Sequence, residues 1–133
     1  MSVLSAASVM TFIATAKPAE ARAFYEDVLG LKFVEDSPLA LVFELQSAIL
    51  RIQKVEEVTA TAYTALGWQV ADIKAAVQEL TTAGVIFERY ENLPQDDLGI
   101  WATADGSAVA WFKDPDGNLL SLAQLGTPDI KLP

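Results

Sequence analysis

The 133-residue chain contains no cysteine and no histidine. Without cysteine there is no disulfide, no thiol nucleophile and no thiolate metal ligand. Without histidine there is no imidazole general base, no Ser-His-Asp triad and no His-containing zinc, iron or copper site. Chemistry here must rest on carboxylates, Lys, Tyr, Ser/Thr or backbone groups. Basic residues are scarce as well: nine Lys and Arg stand against eighteen Asp and Glu, a formal charge of −9. No Lys/Arg-rich stretch occurs, which argues against a nucleic-acid partner. An acidic surface attracts cationic small molecules where its charge gathers at a cleft, or simply keeps a chain soluble. No apolar run reaches the roughly 18 residues that a membrane span needs. The opening "MSVLSAASVM" has neither a basic n-region nor a continuous apolar h-region, so no secretion signal is read and a cytoplasmic location is expected.

What is present is a core-rich sequence, 52% hydrophobic, long enough for one domain spanning 1–133. Its elements come in one order, written twice. "SVMTFIAT" (8–15) reads as a strand, and "KPAEARAFYEDVLG" as a helix with Pro18 in the first turn and Gly30 as its left-handed stop. Three strand candidates follow, "LKFVEDS" (31–37), "LALVFELQ" (39–46) and "AILRIQKV" (48–55). Then "YTALGWQV" (63–70) is a strand, and "ADIKAAVQELTTAG" a helix capped by Asp72, striped by Ile73, Ala76, Val77 and Leu80, and stopped by Gly84. Further strands are expected in "VIFERYE" (85–91), "GIWATAD" (99–105), "AVAWFKD" and "LLSLAQ", the last two joined by a turn at Asp114-Pro115-Asp116-Gly117-Asn118. Gly30 and Gly84, like Phe33 and Phe87, lie 54 residues apart. The reading is α+β: two βαβββ modules, about 8–55 and 63–124, forming a curved mixed sheet around a cleft, with a C-terminal tail at 125–133.

"ARAFYEDVLGLKF", "WQVADIKAAVQELTTAGV" and "WFKDPDGNLLSL" together resemble the vicinal oxygen chelate superfamily, which holds glyoxalase I, extradiol dioxygenases and the fosfomycin- and bleomycin-resistance proteins. The resemblance covers about residues 8–124 and implies the glyoxalase/bleomycin-resistance type of fold. It also implies where a catalytic metal would be held, and Met10, Gln53, Ala65 and Ser121 stand at those places. A thioether, a neutral amide, a methyl group and a hydroxyl form a poor donor set for a first-row metal. No metal and no cofactor are therefore expected. The Asp114–Asn118 segment has its Gly117 out of place for a calcium loop and reads as a plain turn.

Strand alternation sends Met10, Phe12, Arg51, Gln53, Gln69 and Ser121 toward the cleft, and Ile13, Leu50, Ile52, Trp68, Val70, Leu120 and Leu122 under the helices. Arg51, a cation within an apolar strand, either pairs with Glu44 on the next strand or grips an anionic or carbonyl-bearing ligand. Trp101 and Trp111 on neighbouring strands are either ordinary core or a surface for a planar or cationic ligand. The loop "RYENLPQDDLG" (89–99) is a rim, a lid or simply solvated. The resemblance is closest to the non-metal, antibiotic-sequestering branch, which implies a homodimer that binds a cationic or aromatic small molecule. The expected ligand-binding set is Met10, Phe12, Glu44, Arg51, Gln53, Gln69, Trp101, Trp111 and Ser121. Two rivals stand beside it: a glyoxalase-like lyase or isomerase working through Glu44, Tyr63 or Arg51, and a degenerate member that serves as a protein partner.

Overall fold

A computed structural model describes residues 2–126, so the expected tail lies outside the described residues from 127 onward. The chain divides into two compact units, Met1–Ala60 and Thr61–Pro133.

In the first unit a short 3₁₀ turn (Val3–Ala6) leads into β1 (Val9–Thr15). Helix α1 (Pro18–Ala23) follows, with Pro18 in its first turn, and runs on as one π-type turn, Phe24–Val28. Gly30, at φ +73°, ends it where a side chain would be strained. Strands β2 (Lys32–Asp36), β3 (Ala40–Glu44) and β4 (Ala48–Lys54) complete a mixed sheet ordered β1-β4-β3-β2, with β1 parallel to β4. Leu41, Phe43, Leu50 and Ile52 are buried on the face under the helix, where Tyr25 meets Phe43 at 6.0 Å and Phe43 meets Phe33 edge-on at 5.6 Å.

The second unit repeats this plan. Strand β5 (Leu66–Gln69) leads to α2 (Ile73–Thr82), whose N-cap Asp72 accepts a hydrogen bond from Ala75 N at 3.1 Å. Strands β6 (Trp101–Ala102), β7 (Ala108–Lys113) and β8 (Leu119–Gln124) give the order β5-β8-β7-β6, again with first and last strands parallel. Ile73 and Val77 of α2 are buried, and Ile73 N donates to Gln124 Oε1 at 2.8 Å, which ties the helix start to β8. Phe112 is the hub, with Phe87 edge-on at 5.4 Å and Trp68 stacked at 6.4 Å.

Two expected strands are corrected here. Residues 85–91 contribute only the isolated bridge Phe87↔Phe112, and 99–105 shrinks to the two residues of β6. The cause is local competition from side chains. Gln95 accepts from Tyr90 N at 2.7 Å and donates to Glu88 O at 3.0 Å and Gly99 O at 2.8 Å, taking bonds a neighbouring strand would make. The Arg89 guanidinium donates to the carbonyls of Asp96 and Asp97 and closes the loop on itself. The β7–β8 turn is likewise built by side chains. Asp114, buried, accepts from Asp116 N, Asn118 N and Asn118 Nδ2, each at 2.9 Å. Its carboxylate is spent on the turn, which matches the plain-turn reading.

Among the described residues no helix is long and apolar enough to cross a membrane.

Candidate functional site

Each sheet has one face under its own helix and one turned away from it. Register assigns the residues. In the first unit the away-facing rows are Met10–Ile49–Glu44–Lys32, Phe12–Arg51–Val42–Glu35 and Ala14–Gln53–Ala40. Met10 is 49% exposed, Phe12 51% and Ile49 41%, so this face is open, apolar around Arg51 on β1 and β4 and charged toward β2, where Lys32, Glu35 and Glu44 lie. Glu44 does not serve Arg51: it pairs with Lys32 across β2–β3 at 3.6 Å. The expected Arg51–Glu44 pair is thus replaced by Lys32–Glu44, because Arg51 and Glu44 sit in different rows, with Val42 directly beside Arg51.

In the second unit the away-facing rows are Gly67–Ser121–Trp111 and Gln69–Ala123–Val109–Trp101. Trp101 and Trp111 stack with ring centres 6.1 Å apart and planes 27° from parallel. Tyr90, from the loop, meets Trp111 edge-on at 5.5 Å. Beside this aromatic cluster lies an open pocket of about 390 Å³, lined by Tyr63, Thr64, Tyr90, Asn92, Leu93 and Trp111 among others. Burial, and then the negative charge of Glu88, push the Tyr90 phenol above its ordinary value. Tyr90 was missing from the expected set; its aromatic neighbours are distant in sequence, and only the position of "RYENLPQDDLG" next to a tryptophan-bearing strand hints at it. A larger groove, about 570 Å³, runs along the outer side of α1 past Arg22, Glu26, Asp27 and Asp36. Two ion pairs line it, Arg22 with Glu26 at 3.2 Å and Asp36 with Lys54.

Neither unit carries strong metal donors at the positions concerned. Met10 and Ala65 each lie seven residues before their helix's N-cap, Lys17 or Asp72. Phe12 and Gly67 each lie five residues before it. Phe12 pairs with Arg51 and Gly67 with Ser121, so the counterpart of Ser121 in the first unit is Arg51 rather than Gln53. In the first unit these positions supply a thioether and a permanent cation; in the second, a methyl group and a neutral hydroxyl. Ser121 Oγ also sits 2.7 Å from where a Cβ on Gly67 would be, over a strand position with no side chain. Among the described residues no three Asp or Glu side chains gather closely enough to hold a metal ion. This donor set does not fit a divalent first-row ion, which needs ionic or imidazole ligands.

Comparison with known proteins agrees with this architecture. Residues 7–122 match the Glyoxalase/Bleomycin resistance protein/Dioxygenase superfamily, and the chain belongs to it. Among solved structures it is similar to a superfamily member from Sphaerobacter thermophilus, at 21% identity and TM-score 0.69 over 90% of this chain and 97% of that one. A lactoylglutathione lyase from Agrobacterium tumefaciens shares 20% identity at TM-score 0.65, covering 89% of this chain and 92% of that one. TnmS3, an antibiotic binding protein from Streptomyces, shares 20% identity at TM-score 0.65 over 89% and 94% of the two chains. No curated protein matches the chain in sequence.

Proposed function

We propose that this chain is a metal-independent binder of small molecules bearing a planar aromatic group, holding its ligand on the sheet faces turned away from the helices. The observation that carries this reading is the Trp101–Trp111 stack with Tyr90 edge-on. Half-buried aromatic rings beside an open pocket offer a planar ligand large contact area and little entropy to lose. The poor metal donor set favours holding over turnover. A neighbour of the same fold from Streptomyces is an antibiotic binding protein, which supports a binding role. Of the expected ligand-binding residues, Met10, Phe12, Glu44, Arg51 and Gln53 share one away-facing surface, and Gln69, Trp101, Trp111 and Ser121 the other. We read the working form as a homodimer, on the family resemblance.

Titrating the native protein with planar aromatic compounds, antibiotics among them, while following tryptophan fluorescence tests the reading. A saturable change, lost in Trp111→Ala, is expected. No saturable response to any such compound counts against it. Metal analysis of the same preparation decides the rival: a stoichiometric first-row metal would return the lyase or isomerase reading.

A further inference from the structure

The chain has three arginines. Arg22 pairs with Glu26 and lies over the Phe33 ring at 3.8 Å; Arg89 donates to two loop carbonyls. Arg51 has no carboxylate or carbonyl partner among the described residues, although acids outnumber bases two to one. It is half-buried in the centre of an open sheet face. Phe12 and Val42 flank it at the same level, and Ile49 lies on its own strand one step along the same face. Of the acids on this face, Glu44 is held by Lys32 in another row, and Glu35, two strands away in the row of Arg51, makes no ion pair with it. A guanidinium kept in apolar surroundings with no counter-charge is costly, and that cost is relieved when an anion arrives.

We propose that Arg51 recognises the carboxylate of a small organic acid whose apolar body lies on Phe12, Met10 and Ile49. The proposal rests on the small-molecule-binding reading and adds the charge of the ligand. A guanidinium offers two parallel N–H donors that match the two oxygens of a carboxylate. Its position strengthens the case. Arg51 is the register counterpart of Ser121, so the first unit presents a fixed organic cation where the resemblance places a metal-binding donor in the second. The overall charge of −9 does not oppose this at close range. Exposed charges beyond about 8–10 Å are largely screened at physiological salt, leaving the local cation to decide.

The test uses the full chain, ¹⁵N-labelled, and follows the Arg51 Nε–Hε signal, assigned from its disappearance in Arg51→Lys. The probes are 2-naphthoate and its uncharged analogue 2-naphthamide. Naphthoate is expected to shift the Arg51 signal saturably and to bind at least about tenfold more tightly than the amide, as a lost charge-assisted bidentate contact implies. Arg51→Gln should weaken naphthoate by a similar factor and naphthamide, whose carbonyl accepts only an ordinary hydrogen bond, by much less, while Arg51→Lys recovers part of the naphthoate loss. Equal affinity for the two probes with an unmoved Arg51 signal overturns the proposal, as does an unmoved signal up to the solubility limit of naphthoate. A tryptophan response to other aromatic compounds in that case leaves the binding reading standing; silence of both signals removes both. If Arg51→Gln abolishes binding of both probes and changes sedimentation, Arg51 belongs to a chain–chain contact and the proposal falls.

Discussion

Each unit has its own core of the same design, and the two differ on the face away from it. Phe43 with Phe33 in the first unit and Phe112 with Phe87 in the second form nearly the same edge-on pair, at 5.6 and 5.4 Å. The matching rows on the opposite faces read Phe12–Arg51–Val42 and Gly67–Ser121–Trp111. Where the first unit carries a ring on its first strand and a charge on its last, the second carries no side chain and a hydroxyl. Its bulk lies two strands away from that vacancy, on Trp111 of β7. One βαβββ plan thus tolerates exchange of ring, charge and vacancy at equivalent points, because residues on that face do not hold the helix down. The shared face specifies the fold, and the divergent face has room to specify the ligand.

The largest effects should come from the shared face. Phe43 and Phe112 are both fully buried hubs of aromatic clusters. Truncating either to alanine removes a large ring from close packing, at a cost of about 3–5 kcal/mol. Phe43→Ala and Phe112→Ala should lower stability in chemical denaturation by similar amounts. Losses that differ by more than about 2 kcal/mol would break the equivalence of the two cores.

The repeated plan was legible in the sequence because caps and alternation are local signals. Asp72, Gly30 and Gly84 mark helix ends by their own chemistry, and Leu50, Ile52, Leu120 and Leu122 are buried as their alternation requires. What was hidden depends on partners that neither caps nor alternation mark. Residues 85–91 have strand-like composition, yet the Gln95 side chain takes the bonds a strand would need. Lys32 claims Glu44 only because β2 lies beside β3. The equivalence of Arg51 with Ser121 appears only once β1–β4 and β5–β8 registers are compared. Tyr90 joins the tryptophans through a loop whose path no periodicity sets.

A smaller effect sharpens the contrast between Phe12–Arg51 and Gly67–Ser121. A Cβ on Gly67 would meet Ser121 Oγ at 2.7 Å and the Ser121 carbonyl oxygen at 3.4 Å. Gly67→Ala should cost about 1–2 kcal/mol, in the range of modest overpacking, since the buried Ser121 hydroxyl must give way to the added methyl. Adding Ser121→Ala should recover most of that loss. A double variant no more stable than Gly67→Ala alone would show that the backbone, not the hydroxyl, sets the fit. Phe12→Leu, across from Arg51 in an open row, should cost well under 1 kcal/mol by the same assay.

The smallest effect concerns Tyr90, which has no aromatic counterpart at the matching edge of the first unit, where β2 presents Glu35 and Asp36. Its ordinary value is 10.0, and burial first, then Glu88, raises it. A raised value means the fold favours the neutral phenol. The stabilisation this gives is complete below the unfolded value and is lost as pH rises through the folded one. Wild-type stability should therefore decline above the ordinary tyrosine range, and Tyr90→Phe should remove that part of the decline. In a difference titration of phenolate absorbance against Tyr90→Phe, Tyr90 should ionise above its ordinary value. Glu88→Gln should bring it only part of the way back, because desolvation is the larger cause and Glu88 is already drawn toward Lys113 at 3.7 Å. Full return to the ordinary value in Glu88→Gln would make charge rather than burial the cause. The Tyr90 ring would then be less shielded from water than its edge-on seat against Trp111 implies.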